Sequence, residues 1–230
     1  MYHVTICWSA VGGNVIVLLF SAGQLNVWKQ GTGTWALTGA NTYTGTTTVS
    51  SGTLLADGSI TSATIIMTGA VLGGNGRINA TVNNAGTISP GDVGNAGTLT
   101  ITSLTLGNAS SLNFILNTPD STAGVGGNSL LATTDLTLGS GIIVNISGGS
   151  QFGVGIYHLI SFSDAINNLA DLNSWVVNGP TGYRYTLSDP VGIIDLNVTA
   201  VPEPPVSALL FFGGLMLLLR KAKRRPAGSK

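Results

Sequence analysis

Two histidines, one cysteine and nine acidic residues are the raw material for chemistry in this 230-residue chain. Their spacing assembles little of it. His3 stands in a segment without a clear pattern. His158 shares strand parity with Ile156, Ile160 and Phe162, which predicts a core or edge imidazole rather than a general base or a ligand. Asp57, Asp92, Asp120, Asp135, Asp164, Asp171, Asp189 and Asp195 are scattered singly, mostly beside Gly, Ser or Thr, where Asp makes turns. Carboxylates roughly 20 to 25 positions apart would still meet across the coils of a stacked fold, but Asp57, Asp135 and Asp164 do not fall into such a ladder. Gly73-Gly74-Asn75-Gly76 and the run from Gly124 to Gly127 lack the Lys and the helix of a phosphate loop, and they read as corners. Cys7 alone permits neither an internal disulfide nor a thiolate metal cage. No catalytic residue, metal set or cofactor is expected, and the chain reads as a non-enzyme.

The elements that would carry any function divide by charge. Lys29, Arg77 and Arg184 are the only basic residues before position 220, against all nine acids, so this part carries −6 and the remainder +6. An acidic body with three scattered cations has no footprint for nucleic acid. Charged residues are 8% of the chain and apolar ones 43%, which excludes the charge-rich composition of disorder and points to extended, repetitive β-structure.

The tail, 201–225, has its own logic. Pro202-Glu203-Pro204 precede an uncharged apolar stretch, 206–219, that includes Val206, Leu209, Leu210, Phe211, Phe212, Leu215 and Leu219. Arg220, Lys221, Lys223, Arg224 and Arg225 follow as a basic stop, which marks the cytoplasmic side and sets the preceding residues outside. As a helix this plug spans roughly 21 Å against a hydrocarbon core of about 30 Å, so it predicts a single short transmembrane helix that holds weakly, with basic residues snorkelling. The motif, the apolar helix with its pair Gly213 and Gly214, and the Arg-rich end resemble the PEP-CTERM protein-sorting tail. The resemblance implies a bacterial protein, a transient anchor in the inner membrane, and recognition of Pro-Glu-Pro by an exosortase-like enzyme that removes the helix.

Residues 1–23 are harder to place. Val15 to Phe20 and the small residues Ser21-Ala22-Gly23 suggest the core and cleavage site of a signal peptide, but no Lys or Arg opens the segment. A strand pair of Val15–Phe20 and Leu25–Trp28 is the other reading. A truncated or misassigned start fits the pattern best.

From position 29 short β-branched and aromatic runs are punctuated by Gly every few residues, with no helical period. Strands this brief suit the rungs of a parallel β-solenoid. Residues 31–55, from Gly31-Thr32-Gly33-Thr34-Trp35 through Asn41-Thr42-Tyr43-Thr44-Gly45 to Gly52-Thr53-Leu54-Leu55, resemble the autotransporter-associated β-strand repeat, with Trp35 where the family has its first Leu. That resemblance implies a right-handed parallel β-helix and no active site. Trp35, Leu37, Tyr43, Val49 and Leu54 are the expected interior residues, Gly39, Gly45 and Gly52 the corners, and Thr44 an outer position.

Further on, the apolar parity of Thr98 to Leu106 slips once between 101 and 104, which demands a corner or bulge. Leu112, Phe114 and Leu116 share one face, as do Ile142, Val144 and Ile146. Residues 24–199 at roughly 20 to 25 residues per coil make about seven to nine coils, with 24–151 as the β-helix and 152–199 as a β cap over its last rung. Ser163 or Asp164 is expected to cap a short helix carrying Ile166, Leu169 and Leu172, followed by the aromatic concentration of Trp175, Tyr183 and Tyr185. The function expected is that of an exported structural or adhesion-type envelope or matrix protein, whose hydrated β-surface meets extracellular polysaccharide. A lyase-type or polysaccharide-binding β-helix is the alternative, distinguished by Asp, Arg and Lys clustered on one face.

Overall fold

The computed structural model describes residues 2–6, 24–119 and 127–202. The chain divides into a unit of Met1–Thr199 and a second of Ala200–Lys230, of which only 200–202 are described. In the first unit the strands run β1 (Tyr2–Ile6), β2 (Leu25–Lys29), β3 (Thr34–Leu37), β4 (Ala40–Asn41), β5 (Thr47–Val49), β6 (Gly52–Ala56), β7 (Ser59–Ile60) and β8 (Thr64–Ile66). They continue as β9 (Ala70–Gly74), β10 (Arg77–Asn84), β11 (Thr87–Pro90), β12 (Thr98–Leu106), β13 (Ser111–Leu116), β14 (Leu130–Thr137) and β15 (Ile143–Gly148). The last are β16 (Gly155–Phe162), β17 (Ile166–Asn167), β18 (Val176–Asn178), β19 (Tyr183–Ser188) and β20 (Ile193–Ala200), with a 3₁₀ turn at Leu169–Ser174 before β18.

These strands form two long sheets. One runs β3-β6-β9-β11-β13-β15-β18, and its pairs are all parallel. The other runs β1-β2-β5-β8-β10-β12-β14-β16-β20-β19 and is parallel as far as β16. From β2 to β18 the chain passes back and forth between the sheets, giving one strand to the sheet of β3 and one or two to the sheet of β2 on each circuit, so each circuit lays one rung on the previous one. This parallel stack is compatible with the β-solenoid expected from the Gly-punctuated strands.

Why the rungs stack is clearest in one column of the first sheet. Trp35, Leu54, Leu72, Ile88, Leu112, Val144 and Val177 are successive partners in register, and the first six are buried. Each pleat puts alternate side chains inside, so a single apolar column becomes a continuous core. Leu37, Tyr43 and Val49 are fully buried as well, while Thr44 is exposed, which fixes the register of the repeat as its sequence proposed. Burial in β12 falls on Leu99, Ile101, Leu104 and Leu106, and the pairing of β10 with β12 shifts between Ile78 and Thr81. The slip in parity is thus an irregularity shared by neighbouring coils. Corners demand glycine for a steric reason: a Cβ on Gly58 would collide with the carbonyl oxygen of Gly39, and one on Gly76 with that of Gly58.

Coil length is not uniform. Early coils repeat at 16 to 20 residues, from Leu72 to Ile88 at the short end and Val27 to Thr47 at the long, whereas later rungs repeat at 32 and 33, as in Asn113, Asn145 and Asn178. The expected 20 to 25 residues per coil holds as an average, six steps spanning the 142 residues from Trp35 to Val177, while individual coils fall on either side of it. The stack keeps strand register and lets the connections lengthen, because loop length costs little closure entropy.

At the far end the pattern changes. β20 pairs with β16 in the antiparallel sense, and β19 follows it as the last strand of its sheet. The helix expected after Ser163 or Asp164 is absent: Ile166 lies in β17, and the turn that holds Leu169 and Leu172 is 3₁₀, preceded by Asn168 in the left-handed region without a side-chain cap. β17 forms because Ile166 and Asn167 pair with Leu136 and Thr137, and that ladder outcompetes the start of a helix. No helix among the described residues is long and apolar enough to cross a membrane.

Candidate functional site

Of the tail, 201–225, Val201 and Pro202 are among the described residues. Pro202 is exposed, while Glu203, Pro204, the stretch 206–219 and the basic residues from Arg220 to Arg225 lie outside the described residues, as do Val15–Phe20 and Gly124 to Gly126. His3 lies on the backbone of β1.

The repeat is an interior device. Trp35, Leu37, Tyr43, Val49 and Leu54 all point into the core. With them goes one of the three scattered cations of the acidic body. Lys29 is fully buried, its Nζ donating to the carbonyls of Gly31 (2.7 Å), Ser51 (2.9 Å) and Gln30 (3.2 Å) and lying 5.4 Å from the centroid of Trp35. Burial holds its pKa below the ordinary value. The ammonium stitches two coils together through the carbonyls of Gly31 and Ser51, which lie on successive coils. Beside it, the Tyr43 hydroxyl meets Thr47 Oγ1 at 2.6 Å, and Thr47 meets Ser62 Oγ at 2.6 Å, a buried polar chain across two coils.

Two titratable pairs emerge on the outside. His158 does not enter the core: its side chain is about half exposed, and its Nδ1 lies 2.6 Å from Oδ1 of buried Asp195. The reason is a register shift between His158 and Ile160 against β20, which turns Tyr157 and Leu159 inward and leaves His158 outside. Asp57 and Asp92 form the second pair, with the backbone N–H of Asn75 donating to Asp57 Oδ1 at 3.2 Å. Burial pushes the Asp57 carboxyl above its ordinary 3.8, the backbone N–H of Asn75 pulls it back, and the Asp92 carboxyl raises it again. Spacing of about 18 would have found this pair, but only once the true coil length was known. Among the described residues no group of three potential metal ligands forms.

A concavity lies at the end of the stack, between β18 and β19, the terminal strands of the two sheets. It holds about 640 Å³. The 3₁₀ turn supplies Leu172 and Asn173, the far wall Trp175 and Val177, and β19 its residues from Tyr183 to Leu187. Its aromatic residues are held in place. Trp175 Nε1 donates to the Gly139 carbonyl at 2.9 Å, the Tyr185 hydroxyl to Pro180 at 2.6 Å, and Tyr183 packs edge-on against Phe152 with centroids 5.4 Å apart. Burial raises the pKa of Tyr185, with Tyr183 and Tyr157 adding to it, so the phenol stays a donor. Sequence reading saw the aromatic concentration but not the cleft, since the two walls belong to different sheets.

Residues 29–56 match the passenger-associated-transport-repeat family, a span that contains the 31–55 resemblance. Over 200 residues the chain is 39% identical to the adhesin BmaC autotransporter of Brucella suis biovar 1 (strain 1330). That alignment covers 78% of this chain and 5% of the relative, so the chain corresponds to a small part of a much longer protein. The solenoid described above therefore carries an autotransporter-associated repeat and is similar to part of an autotransporter adhesin.

Proposed function

We propose that the chain is an exported, surface-exposed adhesion-type protein whose solenoid is a scaffold without catalysis. The observation that carries this reading is the stack of parallel coils into which the matched repeat, 29–56, is built, with Trp35, Leu37, Tyr43, Val49 and Leu54 of the repeat spent on the core. The adhesin name of the relative supports it. The right-handed winding implied by the repeat agrees with the general chirality of parallel crossovers. Export ends, on this reading, with a transient inner-membrane anchor of 206–219, held by the basic residues Arg220 to Arg225 and released by an exosortase-like enzyme acting at Pro202-Glu203-Pro204. The support there is the order of motif, apolar plug and basic stop in the sequence. Extracellular polysaccharide is the partner proposed for the hydrated outer surface.

Two measurements on the full chain in its own host test this. Mass spectrometry of surface-exposed protein should find a C-terminus near Pro204, and intact protein ending at Lys230 outside the inner membrane would refute the sorting step. Cells lacking the protein should adhere less to polysaccharide-coated surfaces. Unchanged adhesion would refute the adhesive role.

A further inference from the structure

We propose that the outer face of β2, β5, β8 and β10 binds a neutral β-linked polysaccharide, its chain lying along the stacking axis with sugar rings on Trp28 and Ile65. The inference rests on the adhesive reading and gives it a site. It begins with register. Trp28, Thr48, Ile65 and Asn83 are successive partners on four neighbouring strands, so their side chains leave the same side of the sheet. Their neighbours Val27, Lys29, Thr47, Val49, Thr64 and Ile66 are buried, which sets the column of four on the outside. Met67 continues the ladder by donating its backbone N–H to Val49, and two positions after Ile65 it returns to the same face.

This face carries apolar surface that the fold leaves in solvent. Trp28 is 44% exposed, Ile65 40% and Met67 46%. Apolar side chains grouped on one face and rimmed by polar ones mark an interaction surface. The indole is broad, flat and stiff, which suits the apolar C–H face of a pyranose. No hydrogen bond among the described residues engages the side chains of Trp28, Thr48 or Asn83. An indole N–H, a hydroxyl and an amide therefore stand open to sugar hydroxyls, which themselves both donate and accept.

Charge selects a neutral ligand. The body carries −6, so it repels a polyanion unless a local cation offsets the field. The column has no such cation. Lys29 is turned into the core with its ammonium on backbone carbonyls, and Arg77 stands six residues before Asn83 on β10, beyond the register shift. Pairing argues against a peptide strand. β2, β5, β8 and β10 each have a strand on both sides, so no backbone edge is open here for strand addition. Spacing argues for a polymer. Parallel strands lie about 4.8 Å apart, and an extended β-linked glycan advances by nearly the same step per sugar. The column thus offers one side chain per sugar over a length of roughly 14 Å.

The test is calorimetric titration of the full chain with cellohexaose, cellobiose and cello-oligouronate, the acidic counterpart with the same linkage, repeated for W28A, W28F and T48V. Thermal melts accompany each variant, and W28F, which keeps an aromatic ring, serves if W28A melts early. We expect cellohexaose to bind more tightly than either comparison sugar, W28A to weaken it roughly tenfold, and W28F and T48V to weaken it less. Added salt should leave the affinity unchanged, because no ion pair forms. Equal cellohexaose affinity in the parent, W28A and W28F would overturn the site while leaving the adhesive reading intact, since the glycan would then bind elsewhere. Cello-oligouronate binding as tightly would overturn the preference for a neutral chain, and cellobiose binding as tightly would overturn the ladder of coils. Sedimentation that shows the parent self-associating and W28A monomeric would make this a contact between copies and overturn the glycan. Undetectable binding of cellohexaose overturns the proposal, whereas failure of the adhesive reading would show separately in the cell assay.

Discussion

Single side chains decide whether the coils close. Leu37 is fully buried in the repeat, and Thr44 a few positions on is exposed. Leu37→Ala should therefore cost about 2 to 5 kcal/mol, and Thr44→Ser well under about 1 kcal/mol, read as urea midpoints of the full chain. Equal midpoints would mean the repeat is not packed as a rung. Lys29 makes the opposite demand, a buried charge in register with Val49. Lys29→Met keeps the bulk but leaves the carbonyls of Gly31 and Ser51 without their donor, and should cost about 1 to 3 kcal/mol. The sign of its pH dependence follows from desolvation. The folded-state pKa lies below 10.5, so the unfolded chain binds more protons there, and the parent should gain stability relative to Lys29→Met as pH rises toward 10.5. A flat difference across that window would count against a desolvated ammonium.

Strands and corners were legible in the sequence to different degrees. The inward positions Trp35, Leu54, Leu112 and Val144 and the slip in β12 could be read directly, because a period of two leaves no freedom once one face is buried. The two sheets' shared end could not, because β16, β20 and β19 are brought together by pairing across long connections rather than by any local pattern. His158 was misjudged for the same reason: its exposure comes from a shift against β20, 37 positions away. Lys29 was invisible as a core residue, since nothing local says that three carbonyls converge on it. The corner of Asp57, Asn75 and Asp92 needed the true coil length. It also yields a test. The folded Asp57 carboxyl titrates above 3.8 through burial and Asp92, so stability should fall as pH rises past 3.8. Asp57→Asn keeps an oxygen for the Asn75 N–H, and should remove that slope and stabilise at neutral pH by under about 1 kcal/mol. Thermal melts from acid to neutral pH check it, and parallel curves for the two proteins would contradict the pairing.

At the scale of the whole molecule everything depends on stacking by register. The adhesive scaffold, the outer column of Trp28, Thr48, Ile65, Asn83, Thr105, Thr137 and Asn167, and the cleft at the tip exist only if successive coils pair as described. Thr105 and Thr137 are half-buried partners on neighbouring strands, though far apart in sequence. Parallel neighbours lie about 4.8 Å apart, within the Cα range a disulfide accepts. The most direct test is therefore oxidative cross-linking of the double variant Thr105→Cys with Thr137→Cys, with Cys7→Ser to remove the native thiol. Ile143, on the other sheet, replaces Thr137 as the control position. Rapid, near-complete disulfide formation in the first variant and little in the control is the expected result. Equal rates in the two, or no cross-link between positions 105 and 137, would contradict the stacked parallel coil on which the whole account stands.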